Sequence, residues 1–235
     1  MDERRPFIQK FCMVPPLRVK LCLLIPFVLN ILPMSARSDA SQVTVVKNER
    51  GAWELRRNGT PYPIHGVGGP GSVESAKQMG ANSIRTWGVE QLGAKNAEGE
   101  ALIDQAERLG LTVCAGLWVK HERHGFKYED EKFIRQQREE IRDAVRKYKN
   151  HPAVLVWGLG NEMEGYVGSE NAVRVWKELN ELAKIIKAED PNHPVMTVIA
   201  GADTGKIREI MKHYPEIGIL GINAYLGAGG AGATL

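Results

Sequence analysis

From residue 43 onward, short β-type runs of apolar residues alternate with longer stretches in which apolar residues recur every three or four positions. The first two runs, 43–46 and 53–57, flank Asn48-Glu-Arg-Gly51. Asn58-Gly59 adds a second turn signal, and together they predict a short β-hairpin. Further strands are predicted at 62–67, 82–87, 111–119, 194–200 and 217–225, and another begins at Val154 and stops at Asn161-Glu162. Helices are predicted at 72–79, 101–109, 131–149, 171–188 and 204–213. Gly110 closes the second helix and Asn150-His-Pro152 the third. The apolar side of 131–149 is Phe133, Ile134, Ile141 and Val145; that of 171–188 runs from Val173 and Trp176 to Ile186. The tail, 226–235, is rich in Gly and Ala and carries no period.

Six strands separated by five helices make a run of βα units on a parallel sheet. The fold class is therefore α/β, a (β/α)8 TIM barrel preceded by the hairpin. A full barrel needs two more strands than the sequence supplies, so the expectation is an incomplete barrel over 41–235. The run that begins at Val154 has no helical period and reads as a strand buried on both faces. It ends abruptly in Asn161-Glu162. The C-terminal mouth of such strands is where barrel enzymes hold their chemistry, whereas a helix cap is the plainer role for a lone glutamate there.

The first forty residues follow a different pattern. A basic leader (Arg4, Arg5, Lys10, Arg18, Lys20) precedes an apolar stretch, 21–34, interrupted by Pro26, Asn30 and Pro33, and Ser38-Asp39-Ala40 has the small-x-small form of a cleavage site. Residues 1–40 are read as a secretory signal peptide cleaved after Ala40, with a secreted or periplasmic product and no stable membrane insertion afterwards. This changes the charge balance. Six of the 31 Lys/Arg and three of the 28 Asp/Glu lie in that leader, so the remainder carries 25 of each. No electrostatic footprint for nucleic acid remains. Cys12 and Cys22 leave with the leader. Cys114 alone stays, in an apolar strand, where it reads as a small buried hydrophobe.

Two motifs invite other chemistry. Gly66, Gly68 and Gly71 match G-x-G-x-x-G between a strand and a helix, but the following strand ends in Arg85-Thr-Trp-Gly instead of an acidic residue for a ribose. A tight βα turn is the preferred reading over a dinucleotide-binding oxidoreductase, and no cofactor is expected. His121-Glu-Arg-His124 is one residue short of the i, i+4 spacing of zinc-binding helices, so no metal is expected and a polar loop is preferred. Arg85, Trp87, Trp118, Asn223 and Tyr225 all fall at predicted strand ends, and His121 and His124 in the loop after one. In a closed barrel these positions converge. Aromatic faces with hydroxyl-binding polar groups suit a sugar. Glu164 and Asp203 also lie near strand ends and are read as loop or cap residues with a catalytic alternative.

The segment Tyr148-Lys-Asn-His-Pro-Ala-Val-Leu-Val-Trp-Gly-Leu-Gly-Asn-Glu162 resembles the acid/base region of glycoside hydrolase family two, which includes β-galactosidases, β-glucuronidases and β-mannosidases. Asn58-Gly-Thr-Pro61 with Ile64-His-Gly-Val67, Asn82-Ser-Ile-Arg85, His121 to Gly125 and Asn223-Ala-Tyr225 resemble further barrel segments of that family, so the likeness spans roughly 53–225. The resemblance implies a retaining glycosidase acting on oligo- or polysaccharide. It makes Glu162 the general acid/base and Asn161 the ligand of the sugar 2-hydroxyl, with Arg85 and Tyr225 orienting a nucleophile. The family's nucleophile, a glutamate ending the seventh strand, has no counterpart in this sequence. A non-catalytic carbohydrate-binding protein is the alternative that this leaves.

Overall fold

The computed structural model describes residues 40–69, 71–163, 169–201 and 203–224. The hairpin forms as read: β1 (Val43–Lys47) and β2 (Trp53–Arg57) pair antiparallel, with β3 (Thr60–Pro61) added after the Asn58-Gly59 turn. Both turn residues take left-handed backbone, φ 51° at Asn58 and 78° at Gly59, the geometry this dipeptide favours.

A six-stranded parallel sheet follows, in the order β4 (Gly66–Gly68), β5 (Ser83–Arg85), β6 (Thr112–Leu117), β7 (Val154–Leu159), β8 (Val195–Ala200) and β9 (Ile219–Asn223). Spatial order equals chain order, as successive βα units require. Between the strands run α1 (Val73–Gln78), α2 (Val89–Leu92), α3 (Leu102–Arg108), α4 (Glu131–Tyr148), α5 (Ser169–Glu189) and α6 (Thr204–His213). The described residues thus form an incomplete TIM barrel with a small antiparallel sheet before it. Among them, no helix is long and apolar enough to cross a membrane.

Two sequence expectations need correction. The strand predicted at 62–67 is reduced to Gly66–Gly68. Pro61 and Pro63 lack the N–H a ladder needs, and the Asn82 side chain takes over the neighbouring backbone groups. Its amide donates to the Pro63 carbonyl at 2.7 Å, and its oxygen accepts from the His65 N–H at 2.8 Å. The polar loop after β5 also contains a short helix, α2, whose Leu92 is fully buried.

Every residue of β6 and β7 is buried, which explains their unbroken apolar runs. A fully buried aliphatic side chain contributes about 1.5–3 kcal/mol, so this pair anchors the core. Gly116 and Gly158 face each other in register across it. A Cβ on Gly116 would lie 2.3 Å from the Thr86 carbonyl oxygen. The glycine lets the chain leaving β5 press onto β6, where Thr86 Oγ1 accepts from the Gly116 N–H at 2.9 Å.

A second tie lies where the chain enters β7 and β8. Trp157 is fully buried, and its indole N–H donates to Asp190 Oδ2 at 2.8 Å. His193 Nδ1 lies 2.7 Å from the same oxygen. His193 Nε2 is 3.2 Å from the Ser41 hydroxyl, which donates to the Val154 carbonyl. All of these residues are buried, so the segment before β1 is fastened beneath the sheet. Burial alone would raise the Asp190 carboxyl's pKa, but the bonds from His193, Trp157 and the Asn192 backbone outweigh it and hold the pKa below the usual value.

The sign of the pH dependence follows. A depressed carboxyl stabilises the fold above its unfolded pKa, about 3.9, and that contribution is lost as pH falls further. Urea unfolding from pH 7 to pH 3 should show wild-type stability declining below about pH 4. Asp190→Asn should be less stable by about 2–4 kcal/mol at pH 7, with a flatter decline. Equal acid sensitivity in both proteins would remove Asp190 from the account.

Candidate active site

The chain leaving β7 turns sharply. Gly160 has φ 70°, Glu162 has φ 51°, and Asn161 lies between them. A glutamate in left-handed backbone is uncommon and costs about 1–3 kcal/mol. Two backbone bonds hold it: Gly160 N–H to the Leu117 carbonyl at 3.0 Å, and Glu162 N–H to the Val198 carbonyl at 2.7 Å. The turn is therefore tied to the strands on both sides of β7.

Four side chains meet here. Arg85, at the end of β5, donates from Nη2 to Asn161 Oδ1 at 3.0 Å. Asn223, at the end of β9, donates from Nδ2 to the same oxygen at 3.3 Å and to Glu162 Oε1 at 2.5 Å. The Asn161 oxygen is thus committed to two donors, which turns its NH2 away from them as a donor for something else. Asn223 makes Glu162 Oε1 an acceptor, so a proton on that carboxyl belongs on Oε2. Trp87 packs beside this group with the Arg85 guanidinium 5.3 Å from its ring centroid, a cation–π contact. Gly68 lets the indole approach; a Cβ there would lie 3.0 Å from the ring. Arg85 and Trp87 also line a concave cavity of about 530 Å³ with Cys114, Val156 and Met196. Burial pushes the Cys114 thiol up to about 11, which keeps it protonated and unreactive.

The loop after β6 brings His121 to the same turn. His121 precedes a 3-10 turn, Glu122–His124, which Gly125 closes in left-handed backbone. Its ring is 2% exposed and lies 5.6 Å from the exposed Trp118 and 5.8 Å from His124. Burial, reinforced by Arg123 and His124, holds the His121 pKa down to about 4; the Asn161 backbone and Glu162 oppose this. His121 is therefore neutral near pH 7.

Of the residues singled out in the sequence, Arg85, Asn161, Glu162 and Asn223 share one hydrogen-bonded cluster, with Trp87 and His121 against it and Trp118 and His124 further along the loop. Tyr225 and Glu164 lie outside the described residues. Asp203 is the N-cap of α6, its carboxylate accepting from the Lys206 N–H at 2.7 Å. Gly66 and Gly68 belong to β4, where Ser83 and Trp87 crowd them. Sequence reasoning missed Phe133, placed on the buried face of its helix. It is 37% exposed and stacks on Phe126 beside Trp118. Asp104, Glu107 and His151 form a separate trio with metal-ligand atom types within 4.8 Å of one another. There the Ala153 N–H donates to His151 Nδ1, so the neutral ring carries its proton on Nε2 and donates it to Asp104 at 3.1 Å. That is a hydrogen bond, and it uses the nitrogen a metal would need.

The chain matches the family described as "Glycosyl hydrolases family 2, TIM barrel domain" over residues 74–220, more than half its length. It belongs to glycosyl hydrolase family 2. The fold agrees. A Bacteroides uniformis β-glucuronidase superposes with a TM-score of 0.54 at 19% identity, over 78% of this chain and 23% of the other. A family 2 member from Bacteroides cellulosilyticus gives 0.56 at 19% identity, over 78% and 24%. The family 2 chain thus spans about a quarter of the length of these two structures, and its ancestry is glycosidic.

The buried neutral histidine sets a second pH window. Unfolded, His121 takes a proton near pH 6.5; folded, it does so only near pH 4, so stability falls as pH drops between those values. Ring chemical shifts followed by NMR should place the His121 midpoint near 4. Arg123→Gln, which removes a lowering charge, should move it upward. A wild-type midpoint at 6.5 or above would contradict the buried placement.

Proposed function

We propose that this chain carries the acid/base half of a retaining glycoside hydrolase site, with Glu162 as the general acid/base. The observation that carries the reading is the Arg85–Asn161–Asn223–Glu162 cluster at the mouth of the parallel sheet. In a retaining mechanism one carboxyl group protonates the departing glycosidic oxygen and later takes a proton from water, while a second carboxylate forms the glycosyl-enzyme bond. Asn223 on Oε1 directs the transferable proton to Oε2. Asn161, its oxygen occupied, offers its NH2 to the sugar hydroxyl next to the reacting carbon. Arg85 holds Asn161 and places positive charge near the position of the second carboxylate. Trp87, Trp118, His121, His124 and Tyr225 complete the sugar contacts in this reading. No residue of this sequence is assigned as nucleophile. The substrate class is an oligo- or polysaccharide, by family membership and by the mixture of aromatic and hydrogen-bonding groups.

Hydrolysis of 4-nitrophenyl and 2,4-dinitrophenyl β-glycosides of galactose, glucose, mannose and glucuronic acid tests the assignment. Glu162→Gln should lower kcat by about 10²–10⁴ on the nitrophenyl series and by less on the dinitrophenyl series, whose leaving group needs no proton. Asn223→Ala should lower kcat by about tenfold with little change in KM, as loss of proton placement requires. Sugar binding without turnover, unaltered in Glu162→Gln, would sink the hydrolase reading and leave a carbohydrate-binding protein.

We also propose that residues 1–40 direct export and are removed after Ala40, giving a secreted or periplasmic protein. The support is the leader's sequence pattern. Cleavage there makes Ser41, the residue anchored at His193 and Val154, the first residue of the mature chain. Intact mass of the exported protein should correspond to a chain starting at Ser41; a retained leader would overturn the proposal.

A further inference from the structure

Beside the acid/base turn, on the β6 side, lies an open cleft of about 330 Å³. Trp118, His121, His124, Phe126 and Phe133 line it. Large apolar side chains are exposed in it: Trp118 is 42% exposed and Phe133 37%. The aromatic contacts among them form two runs, Trp118 to His121 to His124 and Phe126 to Phe133. The rim is polar. Lys120 Nζ donates to Glu140 at 2.6 Å, and Gln136 donates to the other oxygen of the same carboxylate at 2.8 Å. An ammonium has three donors and a carboxamide keeps an acceptor oxygen, so both rim groups retain capacity for a ligand.

Two observations tie this cleft to the acid/base turn. The Gly160 N–H bonds to the Leu117 carbonyl, so Trp118 leaves β6 directly alongside Asn161. His121 belongs to both regions: it lines the cleft, feels the Glu162 charge and touches the Asn161 backbone. Its Nε2 is buried and has no hydrogen-bond partner among the described residues. An orphaned buried nitrogen is costly unless a ligand or solvent group completes it.

We propose that this cleft is the subsite for the leaving group, and that it takes a second pyranose ring stacked on Trp118. The inference rests on the assignment of Glu162 as acid/base. A general acid donates to the departing oxygen, so the leaving group must lie on the acid's side of the scissile bond. A pyranose matches the cleft in both of its chemical features. Its C–H face covers exposed indole, and its peripheral hydroxyls meet Lys120, Gln136 and His124 at the edges. A purely aryl group would use the walls and leave the polar rim idle. Trp118 contributes affinity for the second ring, and the turn at Asn161-Glu162 for the first.

Binding separates these contributions and does not need turnover. Intrinsic tryptophan fluorescence of the full chain is titrated with methyl β-galactoside against lactose, and with methyl β-glucoside against cellobiose; both disaccharides place glucose in the second position. The disaccharide of at least one pair should bind about tenfold tighter than its methyl glycoside. Trp118→Ala should weaken disaccharide binding about tenfold more than methyl-glycoside binding and so abolish that gain, while Trp118→Phe should keep most of it. Equal affinity for disaccharide and methyl glycoside, or equal weakening of both by Trp118→Ala, would overturn the subsite and leave the glycosidase reading standing. Failure of the wild-type chain to bind any of the four probes would overturn the subsite together with the sugar-site reading on which it rests.

Discussion

One oxygen atom, Oδ1 of Asn161, accepts from Arg85 and from Asn223 and so draws together the ends of β5, β7 and β9. Two strands separate these positions, β6 on one side and β8 on the other. In a flat sheet with about 4.8 Å between neighbours, β5 and β9 would stand roughly 19 Å apart. An arginine and an asparagine can both reach the central residue only if the sheet curls about it. The cluster is thus a consequence of sheet curvature, and its bonds oppose flattening in return. Glycines make the curvature possible. Gly116 lets the chain after β5 close onto β6, and Gly68 leaves room for Trp87.

The same oxygen orders the side chains around it. A carboxamide can be flipped with little steric change, so its orientation is decided by partners. Two donors on Oδ1 decide it here. The third donor contact, from Asn223 to Glu162, fixes which carboxyl oxygen accepts. Positioning therefore comes from β9 and β5, while the carboxyl group they position comes from the turn after β7. The strained backbone at Glu162 fits this division. Left-handed geometry aims the carboxyl at Asn223, and bonds to Leu117 and Val198 offset its cost. Losing either neighbour would relax the turn before it touched the carboxyl itself.

Much of this was legible in the sequence because it depends on local signals. Periodicity locates every helix but the four-residue α2, and the apolar run that begins at Val154 marks a strand buried on both faces. Strand-end placement picked out Arg85, Asn161, Glu162 and Asn223. Long-range pairing was less accessible. Nothing local says that the Asn82 side chain will replace ladder bonds at Pro63 and His65, so the sequence pattern alone predicts too long a strand there. Phe133 sits at a proper helical spacing, yet the loop from His121 to Tyr128 leaves that position facing a cleft. The burial that neutralises His121 likewise arises from packing between separate elements. The link among Ser41, His193, Asp190 and Trp157 spans more than 150 residues, and no motif announces it.

That last network bears on the site through a single strand. Trp157 is tied to Asp190 beneath the sheet, and four residues later Asn161 receives Arg85 and Asn223 above it. In a strand, residues two apart share a face, so Trp157 and Leu159 point to one side while Val156 and Gly158 point to the other. Val156 lines the concave cavity with Arg85, which puts Trp157 on the helix side, where Asp190 waits at the end of α5. A one-residue slip of β7 would bring the indole into the cavity, strand the Asp190 carboxylate and carry Asn161 away from its donors. The buried Trp157–Asp190 bond therefore does more than stabilise. It is a register pin, set below the sheet, for a cluster of hydrogen bonds that has to form above it.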